Sequence, residues 1–151
     1  IDNFMDYEIY LVDKSFSKLY DLKKKNSFEV KANTTEKQYS ILIGTEEFIL
    51  QKKLDLMPTE FALYQNYPNP FNPTTKIMFS LPLQSSVSLK IYNILGELAA
   101  ELINNQSYDA GFYEIDFDGS QLASGIYLYE LQTSSSGSQP FIGIKKMILI
   151  K

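Results

Sequence analysis

Carboxylates are the main side chains in this sequence that could carry chemistry. Asp109, Glu114, Asp116 and Asp118 form its one acidic cluster. Paired carboxylates can hydrolyse a glycosidic bond, and carboxylate oxygens are ligands that calcium prefers. Asp116 and Asp118 are predicted on one side of a strand end, but the run has no EF-hand spacing and no second cluster accompanies it. We therefore expect neither catalysis nor calcium binding from these residues.

Histidine and cysteine are both absent from the 151 residues. Without them the common ligand sets for zinc, haem and iron–sulfur clusters cannot be built. Histidine bases, cysteine nucleophiles and a Ser-His-Asp triad are excluded for the same reason. We expect no enzyme activity, no cofactor and no metal. A chain without cysteine must also be stable without disulfides, so it can cross any redox environment.

The charge and hydropathy of the chain limit its partners and its location. The formal net charge is −4, which provides no basic stripe for nucleic acid and no attraction to an anionic membrane. No apolar run approaches the ~18–20 residues of a membrane-spanning helix, so no transmembrane segment is expected. The chain opens at Ile1 without a signal-peptide pattern, and we expect an export signal to lie upstream of it.

The first third of the chain contains short strand-like runs at Tyr7–Val12, Phe28–Ala32 and Tyr39–Ile43. Residues 1–44 are therefore interpreted as a β-rich segment, the end of an upstream cargo β-sandwich. The lysines at 23–25 are expected in a solvated turn between strands. Residues 45–60 mix apolar and charged side chains without a clear period, and we interpret them as a linker rather than a short helix.

From residue 61 onward the pattern is that of a small β-sandwich. Three prolines within seven residues require a rigid extended loop, at Pro68, Pro70 and Pro73. Short runs of alternating apolar and polar residues follow, with turn signals roughly every eight to twelve residues. Asn93 and Gly96 bound a predicted type I turn, and Asn104–Gln106 is expected to make the next turn. The fold class is therefore all-β, an antiparallel immunoglobulin-like β-sandwich of about seven strands.

Four segments of residues 61–151 resemble, in order, the type A C-terminal sorting domains of the type IX secretion system. Leu63–Thr75 is similar to the opening signature of that family, and Val87–Gly96 is similar to its strand–turn motif. Leu122–Tyr127 is similar to its Gly-x-Tyr motif, and Lys145–Lys151 resembles its terminal basic and apolar strand. One proline-rich loop would be weak evidence, whereas four motifs in the right order and spacing are specific.

The resemblance implies a role in secretion from a Bacteroidetes-type bacterium. Cargo of this system enters the periplasm with a cleaved signal peptide, and an outer-membrane type IX translocon then recognises the C-terminal domain. A surface sortase commonly removes the domain and joins the cargo to an anionic lipopolysaccharide, whereas other cargo is released. The expected partners are therefore the translocon, the sortase and, after cleavage, lipopolysaccharide. The expected location is the outer cell surface or the extracellular medium.

Nine residues are the candidates for recognition by this machinery: Pro68, Asn69, Pro70, Gly96, Gly125, Tyr127, Lys145, Lys146 and Lys151. The proline loop can serve as a recognition handle, as a rigid connection between strands, or as both. The two glycines are interpreted as structural, because turns need a positive φ or a close approach. The three lysines either steer the domain to an acidic receptor or protect an edge strand. We favour the receptor, because a sorting signal at a free C-terminus must be read there.

Two other functions stay open at this point. A surface β-sandwich can bind glycan or protein, and exposed tyrosines could form a platform for sugar rings. We expect the tyrosines to pack in the core or in cross-strand pairs instead. The chain could also be a structural subunit whose exposed strand edges assemble copies end to end.

Overall fold

A computed structural model of the chain describes residues 7–13, 18–24, 27 and 38–151. The chain divides into two compact units, Ile1–Met57 and Pro58–Lys151. The strand expected at Phe28–Ala32 lies outside the described residues. Each unit is described by itself below.

The first unit contains a three-stranded antiparallel sheet. Its strands are β1 (Tyr7–Asp13), β2 (Lys18–Asp21) and β3 (Tyr39–Thr45), in the order β2-β1-β3. Lys23 and Lys24 lie in the turn that follows β2, as the sequence indicated. The ammonium group of Lys23 forms an ion pair with Glu8 at 3.2 Å. The strands expected from the runs at 7–12 and 39–43 are therefore present.

The segment interpreted as a linker is instead largely a helix, α1 (Glu46–Asp55). Thr45 caps it, since its hydroxyl accepts a hydrogen bond from the Phe48 amide at 3.4 Å. Acidic residues occupy the first turn and basic residues the last, which complements the helix dipole. Only Ile49 is buried, at 2% exposure, so the helix has almost no apolar face for a sequence pattern to reveal.

The second unit is an antiparallel β-sandwich of seven strands in two sheets. The smaller sheet has the order β4-β5-β8 and the larger β10-β9-β6-β7. The fold class predicted from the sequence is confirmed. The strand bounds are β4 (Ala62–Leu63), β5 (Thr74–Leu81), β6 (Ser85–Asn93), β7 (Leu98–Tyr108), β8 (Gly111–Asp118), β9 (Gly125–Ser134) and β10 (Phe141–Leu149).

Alternate residues of the strands form the core between the two sheets. The fully buried side chains include Ile77, Phe79, Leu81, Val87, Leu89, Ile91, Tyr129, Leu131, Met147 and Leu149. The ring of Phe79 stacks on Tyr113 at 5.3 Å, and Tyr108 meets Tyr113 edge-on at 4.8 Å. Tyr129 therefore packs in the core, and Tyr108 and Tyr113 form aromatic pairs, which is the packing expected for these side chains.

The turn expected at Asn104–Gln106 is wrong, because β7 continues through these residues to Tyr108. The pairing of β6 with β7 shifts register between Val87 and Leu89, opposite this segment. Asn105 has a φ of 48°, and its amide donates to the hydroxyl of Ser88 at 3.0 Å. Asparagine tolerates a positive φ in a β-bulge as well as in a turn, so the sequence signal was ambiguous.

Candidate recognition site at one end of the sandwich

The strand directions bring four segments together at one end of the second unit. Asn93 at the end of β6 pairs with Tyr127 near the start of β9, and Tyr127 pairs with Met147 of β10. We call this the terminal end, and it comprises residues 69–73, 94–97, 119–125 and 150–151. The chain enters the unit at the other end, because Ala62 pairs with Ser80 near the end of β5.

The proline segment packs alongside the last residues of β10. The Phe71 amide donates to the carbonyl of Ile148 at 2.9 Å, and the Ile150 amide donates to the carbonyl of Phe71 at 3.0 Å. This is a parallel bridge between Phe71 and Leu149. The Tyr67–Pro68 and Asn69–Pro70 bonds are cis. The segment therefore covers the part of the β10 edge nearest the chain terminus, where pairing groups would otherwise be open.

The side chain of Asn69 forms hydrogen bonds to backbone groups of β10 that a neighbouring strand would otherwise form. Its carboxamide oxygen accepts from the Ile148 amide at 2.9 Å, and its nitrogen donates to the carbonyl of Lys146 at 3.2 Å. Gln65 donates to the same Lys146 carbonyl at 2.8 Å. The structural interpretation of the proline loop thus accounts for Asn69. A recognition role for Pro68, Asn69 and Pro70 stays a prediction.

A buried polar cluster fixes the start of the proline segment. Asn66 is 1% exposed, and its side-chain Nδ2 donates to the carbonyl of Pro68 and to the hydroxyl of Thr75, both at 3.0 Å. The hydroxyl of Tyr129 accepts from the Asn66 backbone amide and donates to the Tyr64 carbonyl, both at 2.8 Å. Burial raises the pKa of Tyr129 to about 12. The satisfied network makes this segment rigid.

Gly119 allows the β8–β9 loop to approach the proline segment. Its amide donates to the carbonyl of Pro73 at 2.8 Å. A Cβ at this position would lie 3.1 Å from both the Leu149 and the Phe71 side chains. An added Cβ would therefore have to displace these two side chains by a few tenths of an ångström. In the sequence, Gly119 stands out only as the second residue of Asp118-Gly119, a dipeptide typical of turns.

The two candidate glycines differ in what their positions require. Gly96 has a φ of 80°, which favours glycine, and its amide donates to the Asn93 carbonyl at 3.0 Å. Gly125 has no positive φ, and an added Cβ would meet nothing closer than Tyr127 at 3.9 Å. The expectation that Gly125 serves a positive φ or a close approach is therefore wrong.

Tyr127 has a structural position. Its ring is buried, and its hydroxyl donates to the carbonyl of Ala123 at 2.9 Å. The contact anchors the β8–β9 loop to β9 in the manner of a tyrosine corner. Little of this side chain is left on the surface, so a partner would meet the loop that Tyr127 supports rather than Tyr127 itself.

The three terminal lysines are exposed and separate into two groups. Lys145 and Lys146 lie within β10, while Lys151 lies at the terminal end, where its ammonium donates to the Ser120 carbonyl at 2.7 Å. Within the described residues none of the three forms an ion pair with a carboxylate, whereas Lys76 and Lys90 do. The uncompensated positive charge of this unit therefore lies on β10 and at the terminal end.

Two members of the acidic cluster, Glu114 and Asp116, take part in ion pairs. Lys76 of β5 pairs with Glu114 and lies 3.6 Å from Asp116. Burial lowers the pKa of Lys76, but its contacts with these carboxylates outweigh burial, so the pKa is raised. In the part of the chain that the structure describes, no group of three or more candidate ligands could hold a metal ion.

The comparisons with known proteins identify the family. The family model described as secretion system C-terminal sorting domain matches residues 65–148, more than half of the chain. The chain therefore belongs to the C-terminal sorting domains of the type IX secretion system, and the resemblance drawn from its motifs is confirmed. Its interaction with that machinery, and export to the cell surface or medium, follow from family membership. A search of curated proteins found no match to this sequence.

The search of solved structures found a protein with low similarity to this chain. CopC from Methylosinus trichosporium OB3b is 20% identical to this chain and covers 60% of it and 93% of its own chain, with a TM-score of 0.39. A likeness of this size does not extend to function. Among the described residues, no helix has the length and apolar composition to span a membrane.

Sequence reasoning missed residues whose partners lie far away along the chain. Asn66, Thr75 and Gly119 fix the proline segment, yet none was a candidate. Asn66 and Thr75 both lie within the opening signature Leu63–Thr75, and that membership was the signal available for them. The structure brings Asn69, Gly96, Gly125 and Lys151 to one end of the sandwich.

Proposed function

We propose that Pro58–Lys151 directs the protein to which it is joined through the type IX secretion system to the outer surface or the medium. The observation that carries the proposal is the family match over residues 65–148. The unit acts as a folded signal that a translocon in the outer membrane reads. Its own residues perform no chemistry, because what they supply is a rigid surface and not a reactive group.

The geometry supports reading at the terminal end. The chain enters the unit at the end of the sandwich where Ala62 pairs with Ser80. The terminal end, with Gly96, Gly125 and Lys151, faces the other way. A receptor can therefore approach these residues without meeting the segment that joins the cargo.

Two later steps belong to the proposal. A surface sortase removes the unit, and the released end of the cargo is joined to anionic lipopolysaccharide. Met57, the last residue of the first compact unit, is 47% exposed, and an exposed residue at a division between units is a favourable site for proteolysis.

The test is a transplant of the whole chain. A signal peptide and a fluorescent protein are fused in front of residues 1–151 and expressed in a bacterium with a working type IX system and in a strain that lacks the translocon. A matched fusion carries residues 1–57 alone. We expect fluorescence on the surface or in the medium only for the full fusion in the working strain. Retention of a folded full fusion in the periplasm of that strain would contradict the proposal.

A further inference from the structure

The outer face of the larger sheet has its broadest apolar area at the terminal end. The strand register places Leu98, Tyr92, Leu128 and Lys146 in one row across β7, β6, β9 and β10. Ile126 and Ile148 form the row nearest the terminal end. Cross-strand partners point to the same face, so these side chains are neighbours on the surface.

The next rows of the same face are charged and then polar on β7, β6 and β9, whereas their members on β10 are Ile144 and Ile142. Glu101, Lys90 and Glu130 are cross-strand partners, and the Lys90 ammonium lies 3.4 Å from Glu101. Ser88 and Gln132 follow. On β7, β6 and β9 the apolar surface therefore ends after the row of Leu98, Tyr92 and Leu128, and it continues only along the β10 edge.

The β6–β7 turn extends this apolar surface beyond the sheet. Ile94 is 72% exposed and Leu95 is 77% exposed, the two highest values among the large hydrophobic residues of the described chain. Turns usually place polar residues at such positions. Two neighbouring aliphatic side chains at a turn tip, continuous with Leu98 at 56% exposure, add nothing to the core.

The turn is nonetheless held rigid. The Asn93 carboxamide oxygen accepts from the amides of Leu95 at 2.9 Å and Glu97 at 3.0 Å. Its nitrogen donates to the Glu97 carboxylate at 2.7 Å. Gly96, at a φ of 80°, adopts the left-handed conformation that completes this turn. A rigid tip loses little conformational entropy when its apolar side chains enter a pocket.

The charge beside this surface indicates the chemistry of the partner. Lys146 ends the row of Leu128 and Tyr92, and Lys151 lies at the same end. Neither forms an ion pair with a described carboxylate, although acidic residues outnumber the five lysines of this unit. An acidic partner surface would complement them. An anionic bilayer is disfavoured by the acidic excess of the unit and by the absence of Trp, which membrane-surface segments often use.

We propose that this surface, comprising Ile94, Leu95, Leu98, Tyr92, Ile126 and Leu128, docks on a concave apolar site of a protein of the secretion machinery. Acidic side chains of that protein flank the site and meet Lys146 and Lys151. Ile94 and Leu95 are the anchors that enter it. The inference rests on the proposed function and adds the residues and the partner chemistry that it requires.

The experiment compares two pairs of exposed aliphatic residues. Ile94→Ser with Leu95→Ser removes the anchors, while Ile142→Ser with Ile144→Ser removes side chains of 59% and 55% exposure from the other end of the same sheet. A third variant, Ile94→Leu with Leu95→Ile, keeps the tip apolar. Each is made in the full fluorescent fusion, and surface and medium fluorescence are measured against the periplasmic fraction. Thermal unfolding of each purified chain checks that the fold is retained.

We expect Ile94→Ser with Leu95→Ser to reduce export by about tenfold or more, because a few buried anchor side chains contribute most of the binding energy of an interface. The pair at 142 and 144 and the apolar swap should export as the parent does. Normal export of the 94 and 95 serine pair, with the parent exported, overturns this inference and leaves the proposed function intact. Retention of the parent itself overturns both.

Two further measurements exclude other occupants. Analytical ultracentrifugation of the purified chain should show a monomer whose mass does not depend on the residues at 94 and 95. Co-sedimentation with vesicles of anionic phospholipid should show no binding. Dimerisation through the tip, or vesicle binding that the serine pair abolishes, would assign the surface to a second copy or to lipid and overturn the proposal.

Discussion

Replacing Asn69 with alanine tests whether a side chain rather than a strand closes the β10 edge. The substitution removes the acceptor for the Ile148 amide at 2.9 Å and the donor to the Lys146 carbonyl at 3.2 Å. The backbone of the proline segment, including its bridge to Leu149, is left in place. The change therefore isolates the two hydrogen bonds of one carboxamide.

The two bonds do not contribute equally. The Ile148 amide loses its partner in a partly buried position, which costs about 1 kcal/mol or more. The Lys146 carbonyl keeps its bond from Gln65 at 2.8 Å, so its loss is smaller. We expect Asn69→Ala to lower the free energy of unfolding of the second unit by about 1–2 kcal/mol. Gln65→Ala is the matched control, because it removes a bond to the same carbonyl and spares the Ile148 amide.

Amide hydrogen exchange measured by NMR is the appropriate assay, because two compact units need not unfold in one transition. We expect the Ile148 amide, and the Leu89 amide in the sheet interior, to exchange roughly 5- to 30-fold faster in Asn69→Ala. In Gln65→Ala the Ile148 amide should keep more of its protection. Unchanged exchange at Ile148 in a folded Asn69→Ala protein would refute the reasoning, since the carboxamide would then not be what closes this edge.

Four further substitutions test individual positions by denaturation of the purified chain, followed through amides of the second unit. Tyr129→Phe should lower the free energy of unfolding of the second unit by about 1–3 kcal/mol, because it removes the buried hydroxyl from its hydrogen bonds. Burial raises the pKa of Tyr129 from 10.0 to about 12, so the stabilisation by its protonated hydroxyl is complete below pH 10 and is lost as the pH rises towards 12. The difference in free energy of unfolding between the parent and Tyr129→Phe should therefore become smaller from pH 10 to pH 12. A difference that stays constant over this range would argue against a buried phenol. Gly96→Ala should lower the free energy of unfolding by about 1 kcal/mol, because Gly96 has a positive φ. Gly125→Ala should change it by less than about 0.5 kcal/mol. Equal losses for the two variants would show that φ does not distinguish the two positions. Gly119→Ala should cost roughly 1 kcal/mol or more by crowding the proline segment, and a neutral result would mean that the loop shifts freely.

The strands of the second unit could be predicted because their chemistry is local. In β5 the residues Ile77, Phe79 and Leu81 alternate with more polar neighbours, and a period of two places them on one face whatever the rest of the chain does. The same alternation identified β6 and β9. Turn residues between such runs then favour an antiparallel sandwich over other arrangements. The fold class and the core residues can therefore be predicted from patterns that each span about ten residues or fewer.

Two local signals were ambiguous without tertiary structure. Helix α1 buries only Ile49, so its sequence lacks the periodic apolar face that identifies a helix, and its cap and charges are weaker signals. Asn105 can adopt its φ of 48° in a turn or in a bulge, and only the partner strand determines which. In both cases the local sequence permits two structures, and packing or pairing selects one.

The candidate site depends almost entirely on tertiary structure. The sequence alone determined that this chain has no histidine or cysteine chemistry, that its last ninety or so residues form a β-sandwich, and that they carry the motifs of a sorting domain. Tertiary structure decided that Asn69 bonds to Ile148, 79 residues away, and that Asn66 bonds to Tyr129, 63 residues away. The physical reason is that a hydrogen bond needs two groups at about 3 Å, and only the completed sandwich brings residues so distant in the chain to that separation.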